Sequence, residues 1–315
     1  MKFLSAGVFL GWSLGSNDAA NVFGTAVSSR MVKYVTAVIL TSIFVIVGAL
    51  LEGTSGIKTL GGLASQTLMT AFFASLSGAI TVTVMTTLKL PVSTSQAVVG
   101  GILGVGIYKH NVNFSSLSKV VACWIGTPIG AMFIAIILYI VISAIINRMH
   151  LSFIKLDFII RTGLILGGIY GAYALGANNV ANVTGVFYNV FTPVWGEHTA
   201  FYLALIGSLS IALGVITYSK NVMFTVGKKL VPLDGFSALI AILGEAVTVH
   251  IYAIIGVPVS TSQAIIGAVL GIGIVKGMRT INKKTLFNIV IGWVSTPVIA
   301  LIMSYLFCVI FKVAV

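Results

Sequence analysis

The chain has 315 residues, of which 58% are hydrophobic and 8% charged, with a mean hydropathy of +1.12. A soluble domain carries about a quarter charged residues, so this composition excludes one and describes a polytopic membrane protein lying almost wholly in the bilayer. The formal net charge of +12 is carried by short cationic clusters between apolar runs, the pattern of positive-inside topology rather than of a nucleic-acid binder.

The apolar runs are too long for barrel strands, so helices are the spanning structure. In chain order they fall at about 3–24, 34–52, 65–88, 92–108 and 118–147. A polar link, Asn147–Lys155, follows, and then runs at about 158–183, 200–218, 235–256, 260–275 and 285–311. The first run follows Lys2 and resembles a signal peptide. It lacks a convincing cleavage site before Gly15-Ser16-Asn17-Asp18, and a similar apolar-to-polar run recurs internally. Cys123 and Cys308 sit in apolar segments as core fillers, with neither a disulfide nor a metal site indicated.

Three landmarks occur twice, in the same order. Asn17-Asp18-Ala19-Ala20-Asn21 answers to Asn178-Asn179-Val180-Ala181-Asn182, at an offset of 161. Pro91-Val-Ser-Thr-Ser-Gln-Ala97 recurs without change as Pro258–Ala264, at an offset of 167. Trp124-Ile-Gly-Thr-Pro128 answers to Trp293-Val-Ser-Thr-Pro297, at an offset of 169. A nearly constant offset indicates internal duplication, with a first repeat over 1–149 and a second over 156–315. Five segments per half is an odd number, which inverts one half relative to the other. In the second half that topology puts Lys155, Arg161, Lys220, Lys228, Lys229, Lys276, Arg279, Lys283 and Lys284 on one side, the cytoplasmic one, and only Lys312 opposite. In the first half Arg30, Lys33 and Lys89 agree, whereas Lys2, Lys58, Lys109 and Lys119 do not. Both termini are then extracellular. The expected fold is all-α, with about ten transmembrane segments in two inverted repeats and paired broken or half helices. The short segments opening at Pro91 and Pro258 form one pair of interruptions, and the polar clusters at Asn17 and Asn178 the other. Such architecture belongs to secondary transporters, with a site at the midplane between the repeats.

The duplicated heptapeptide reads as a helix start. Proline suits the first turn, where its missing amide is not needed, and Ser93 and Ser260 are N-cap residues. The free amides beyond each cap, at the positive end of the helix dipole, form a ready anion site. Ser93, Thr94, Ser95, Gln96, Ser260, Thr261, Ser262 and Gln263 are the candidate anion-binding residues. Their bland alternative is capping and helix packing. Asn17 and Asn21 share one helix face, as do Asn178 and Asn182. Amides in hydrocarbon are costly unless paired or coordinating. Asn17, Asp18, Asn21, Asn178, Asn179 and Asn182 are therefore candidate hard-cation ligands, against an interhelical hydrogen-bond ladder as the alternative. Asp18 is the one carboxylate of the set, opposite Asn179. Neither motif contains Lys or Arg. A bound oxyanion would be electrostatically expensive without cations beside it, which links the two motif pairs. Gly100, Gly104, Gly267 and Gly271 read as close-packing surfaces. Glu52 reads as interfacial, His250 as a bonded core residue, and Glu245 as either a proton site or a structural partner. No catalytic constellation, zinc spacing or P-loop is visible, so an enzyme is not expected.

The run Gly15-Ser16-Asn17-Asp18-Ala19-Ala20-Asn21 resembles the Gly-Ala-Asn-Asp-Val-Ala-Asn signature of the inorganic phosphate transporter (PiT) family. Gly176–Asn182 is similar to its second copy, and the paired Pro-Val-Ser-Thr-Ser-Gln elements are also similar to that family's. The resemblance covers essentially the whole chain. It implies a symporter of inorganic phosphate driven by sodium or protons, built from inverted repeats and acting as a homodimer in the cell membrane. Sodium is favoured, because Asn, Ser and Thr oxygens coordinate it but carry no proton near neutral pH. Alternatives are proton coupling, a sulfate permease on the same scaffold, and an anion channel. No organic cofactor and no nucleic-acid partner are implied. Two departures stand out: Asn179 replaces the second signature Asp, and the large central hydrophilic loop of many relatives is absent.

Overall fold

The computed structural model describes residues 2–88, 92–229, 233–277 and 283–313. Pro91, Lys89 and Arg279 lie outside the described residues, as do the side chains of Lys228, Lys229, Lys283 and Lys284. Among the described residues the protein is helical, with one isolated bridge between Ala64 and Val112. The first half contains α1 (Ser5–Ser28), α2 (Tyr34–Glu52), α3 (Thr54–Gly61), α4 (Leu68–Thr87), α5 (Thr94–Tyr108) and α6 (Phe114–Arg148). The second contains α7 (Phe153–Thr184), α8 (Tyr188–Trp195), α9 (Thr199–Lys229), α10 (Gly235–Ile255), α11 (Thr261–Lys276) and α12 (Lys283–Ile310).

Local chemistry sets the boundaries. Thr67 caps α4 through a capping box with Thr70, Asn113 accepts from the Ser116 amide at 3.0 Å to start α6, and Asp234 accepts from the Ser237 amide at 2.8 Å to start α10. Gly256 ends α10 in the left-handed region, at φ 79°. Helices cover each of the expected segments, while α3 and α8 are additional short pieces. Among the described residues six stretches are long and apolar enough to cross a membrane. The 35-residue α6 exposes Ile125, Ile129, Phe133 and Ile137 at four-residue spacing, an apolar stripe for lipid.

Besides the short α3 and α8, two helices among the described residues fall short of a span. α5 has 15 residues and α11 has 16, so at 1.5 Å per residue they reach only about 22–24 Å of the roughly 30 Å hydrocarbon core. These are the half helices. The second expected pair of interruptions is absent: α1 runs unbroken through Asn17–Asn21, and α7 through Asn178–Asn182. Unpaired backbone is costly in hydrocarbon, and these segments hold no proline, so the polarity resides in side chains while the backbone ladder stays closed.

The packing pairs recur between the halves. α1 packs on α9 as α7 packs on α2, α4 lies on α1 and α5 as α10 lies on α7 and α11, and α5 packs on α12 as α11 packs on α6. Close approach is set by glycine. A Cβ on Gly100 would collide with the Pro297 carbonyl oxygen, and one on Gly267 with the Pro128 carbonyl oxygen. Each half helix is thus lodged against the last long helix of the other half.

Candidate functional site

All fourteen residues singled out above lie on four neighbouring elements. Asn17, Asp18 and Asn21 belong to α1, and Asn178, Asn179 and Asn182 to α7. Thr94–Gln96 and Thr261–Gln263 form the first turns of α5 and α11, capped by Ser93 and Ser260. α1 packs on α7, α11 on α1, and α5 on α7. Twelve of the fourteen are buried, and Asn17 and Ser262 are partly so.

The caps form as expected. Ser93 Oγ accepts from the Gln96 amide at 3.4 Å, and Ser260 Oγ from the Gln263 amide at 3.2 Å. The first backbone bonds into the helices run from Ala97 to Ser93 and from Ala264 to Ser260. The amides of Thr94, Ser95, Thr261 and Ser262 precede them and have no intrahelical acceptor. Each start therefore presents amides, hydroxyls and a positive dipole end, the donor set for an oxyanion.

The two motif pairs are joined across the halves. Asn21 Nδ2 donates to Thr261 Oγ1 at 3.2 Å and to Ser262 Oγ at 3.0 Å. Asp18 also interacts with the Thr261 hydroxyl. Asn178 clasps the chain leading into α11: its Oδ1 accepts from the Val259 amide at 2.8 Å, and its Nδ2 donates to the Val257 carbonyl at 3.2 Å. Asn182 Nδ2 donates to Asn179 Oδ1 at 2.9 Å. The Ser93–Gln96 start is less tied. Ser93 and Ser95 hydroxyls lie 3.2 Å apart, and among the described residues no side-chain bond joins this stretch to either signature. Valines 257 and 259 enter the site through their backbone, which no side-chain pattern could have flagged.

Several buried oxygens here lack any partner: Asp18 Oδ1, Thr94 Oγ1, Gln96 Oε1, Asn182 Oδ1 and Gln263 Oε1. An unsatisfied buried polar group costs about 1–3 kcal/mol. Oxygens of this kind can serve hard cations, which take oxygen ligands; the side-chain nitrogens of Asn17 and Asn179 are unpartnered as well. Outside the site, Glu52 is held rather than free. Its Oε2 lies 2.8 Å from His250 Nε2, and His250 Nδ1 lies 2.8 Å from the Tyr170 hydroxyl.

A polytopic helical bundle with two capped half helices set against a buried oxygen-rich helix pair has the architecture of a membrane transporter. The chain belongs to the phosphate transporter family, whose model matches residues 14–156 and again 148–304. A protein of Methanocaldococcus jannaschii named as a phosphate permease is 34% identical over 298 residues, covering 95% of this chain and 93% of its own length. The sulfate permease of Bacillus subtilis is 27% identical over 307 residues, covering 95% of this chain and 84% of its own. A solved structure of a sodium-dependent phosphate transporter superposes with a TM-score of 0.87 over 100% of both chains. At 22% identity that likeness shows the fold.

Proposed function

We propose that the protein imports inorganic phosphate across the cell membrane by symport with sodium, with alternating access around a midplane site. In this reading the two helix starts at Ser93–Gln96 and Ser260–Gln263 bind the phosphate. Asn17, Asp18, Asn21, Asn178, Asn179 and Asn182 hold the coupling cations. The observation that carries it is the set of partnerless buried oxygens directly beside two capped helix starts that contain no Lys or Arg. Donors for an anion and acceptors for cations are interleaved through the Asn21–Thr261 and Asn21–Ser262 bonds.

Phosphate near neutral pH brings one to two negative charges, and ionised Asp18 adds another. Buried charge must be neutralised nearby, and only co-transported cations are at hand, at least two per phosphate. The recurrent packing pairs support two repeats over 1–149 and 156–315; their inversion, with both termini outside and the Asn147–Lys155 link inside, rests on the segment count and the charge bias of the second half. Function as a homodimer belongs to the same proposal. The test is uptake of labelled phosphate by proteoliposomes under imposed sodium or proton gradients, with sulfate as competitor. Uptake driven by sodium and resistant to sulfate is expected. Uptake driven by protons alone, or abolished by equimolar sulfate, overturns the sodium or the phosphate assignment respectively.

A further inference from the structure

Glu245 lies midway along α10. It is 0% exposed, and neither carboxylate oxygen has a hydrogen-bond partner. It faces both signature helices. A Cβ built on Gly171 of α7 would lie 3.5 Å from Glu245 Oε2 and 3.2 Å from Val22 Cγ1 of α1. Val22 follows Asn21 and stands one helical turn beyond Asp18, the carboxylate that acts electrostatically on Glu245. The two buried acids therefore lie close together, Glu245 beside Gly171 and Val22, and Asp18 one turn before Val22. Among the described residues the ion pairs of the other acids are Arg161–Asp157, His250–Glu52 and Lys276–Asp234, and none reaches Asp18 or Glu245.

The related layer, built from α7, α4 and α5, has no such charge. Asn179 stands where Asp18 would be. Gly78, thirteen residues ahead of Pro91 as Glu245 is thirteen ahead of Pro258, stands where Glu245 would be. The duplication thus placed both carboxylates at one of two related positions.

We infer that Glu245 is the ligand of a further monovalent-cation position beside Asp18, making the α1–α10–α11 layer the stronger of two unequal cation sites. A buried carboxylate without a partner is uncompensated unless a proton or a cation sits beside it, and two of them close together offer oxygen ligands for added cations. Gly171 opposite Oε2 adds no side chain to the space beside the carboxylate. The inference rests on the cation-coupled reading above and adds a residue that neither duplicated motif contains.

The test is equilibrium binding of radioactive sodium to the purified full chain in lipid nanodiscs, with Glu245→Gln and Glu245→Asp. Glu245→Gln should lose one bound sodium per protomer and flatten the sodium dependence of uptake. Glu245→Asp should keep the number and lower the affinity, by about ten- to a hundredfold, the range seen when the groups that orient a metal's ligands are disturbed. An unchanged sodium count in Glu245→Gln overturns the inference and leaves the coupling scheme standing. Should that variant fail to fold, unchanged affinity in Glu245→Asp overturns it equally. Absence of sodium binding to the wild-type chain instead refutes the coupling scheme and this inference with it.

Discussion

Asp18→Asn is the sharpest perturbation of the proposed coupling. The residue is 2% exposed, its Oδ1 has no partner, and the substitution keeps the size and planar shape of the group. It also copies the residue already present at position 179. A carboxylate about 4 Å from a monovalent cation gains roughly 4 kcal/mol at an effective dielectric near 20. Desolvation returns part of that gain, leaving about 3 kcal/mol, or about two powers of ten in sodium affinity. Folding should not suffer, because a neutral amide is cheaper to bury than an isolated carboxylate. The expected result is a sodium requirement raised about a hundredfold, uptake nearly lost at ordinary sodium, and a melting temperature equal to or above wild type. Adding Asn179→Asp should recover part of the activity, since position 179 is the related site in the other half. The assay is labelled phosphate uptake by proteoliposomes across a sodium titration, with melting followed in parallel. A sodium curve in Asp18→Asn that overlays wild type would make Asp18 a structural residue and remove the charge argument.

Replacing Ser95 and Ser262 by Ala together should cut phosphate uptake far more than it lowers expression, because Ser262 accepts from Asn21 at 3.0 Å and both hydroxyls stand at the helix starts; equal uptake would move the phosphate elsewhere. A cysteine at Ser152 should react with an impermeant reagent only from the inner face, and labelling in intact cells from outside would refute the topology. Asp234 supplies a pH test outside the membrane segments. Partial burial would raise its pKa, but Lys276 and the Ser237 amide and hydroxyl outweigh that and hold it below the usual carboxylate value. A depressed folded pKa gives stability that is present above the unfolded value, about 3.9, and lost as pH falls through the folded one. Melting temperature should therefore drop below about pH 4 in wild type and less so in Asp234→Asn, with a small amplitude because the side chain is 57% exposed; parallel acid profiles would exclude the contribution.

Much of the site was legible because its chemistry is written in side chains that occur twice. Ser93 and Ser260 were recognisable as caps from a proline two residues earlier and a helix-like run after them. The short pieces were not. α3 offers only Ile57 and Leu60 as fully buried large side chains, too few to set a period, and α8 contains Pro193, which reads as a breaker. The helices through Asn17 and Asn178 looked broken because polar residues interrupt an apolar run, yet a side chain changes polarity without opening the backbone. Gly100 and Gly267 announced close packing, but their partner carbonyls at Pro297 and Pro128 are far away in the chain, and no local pattern names a distant partner. Glu245 was visible as an oddity, and only the fold brought it to Asp18.

The lodging of each half helix against the other half's last long helix has a consequence for how the protein is made. The glycine face of α5 leaves the ribosome early, but the Pro297 carbonyl that it packs on belongs to the final helix. At about 5–20 residues per second, that partner arrives roughly ten to forty seconds later. Until then α5 is a short, incompletely packed helix that cannot span the bilayer, and α11 sets itself against α6 before α5 finds α12. The architecture thus imposes an order of assembly in which the first half is finished last, and a nascent chain stopped anywhere before α12 should be handled by the cell as unfinished membrane protein.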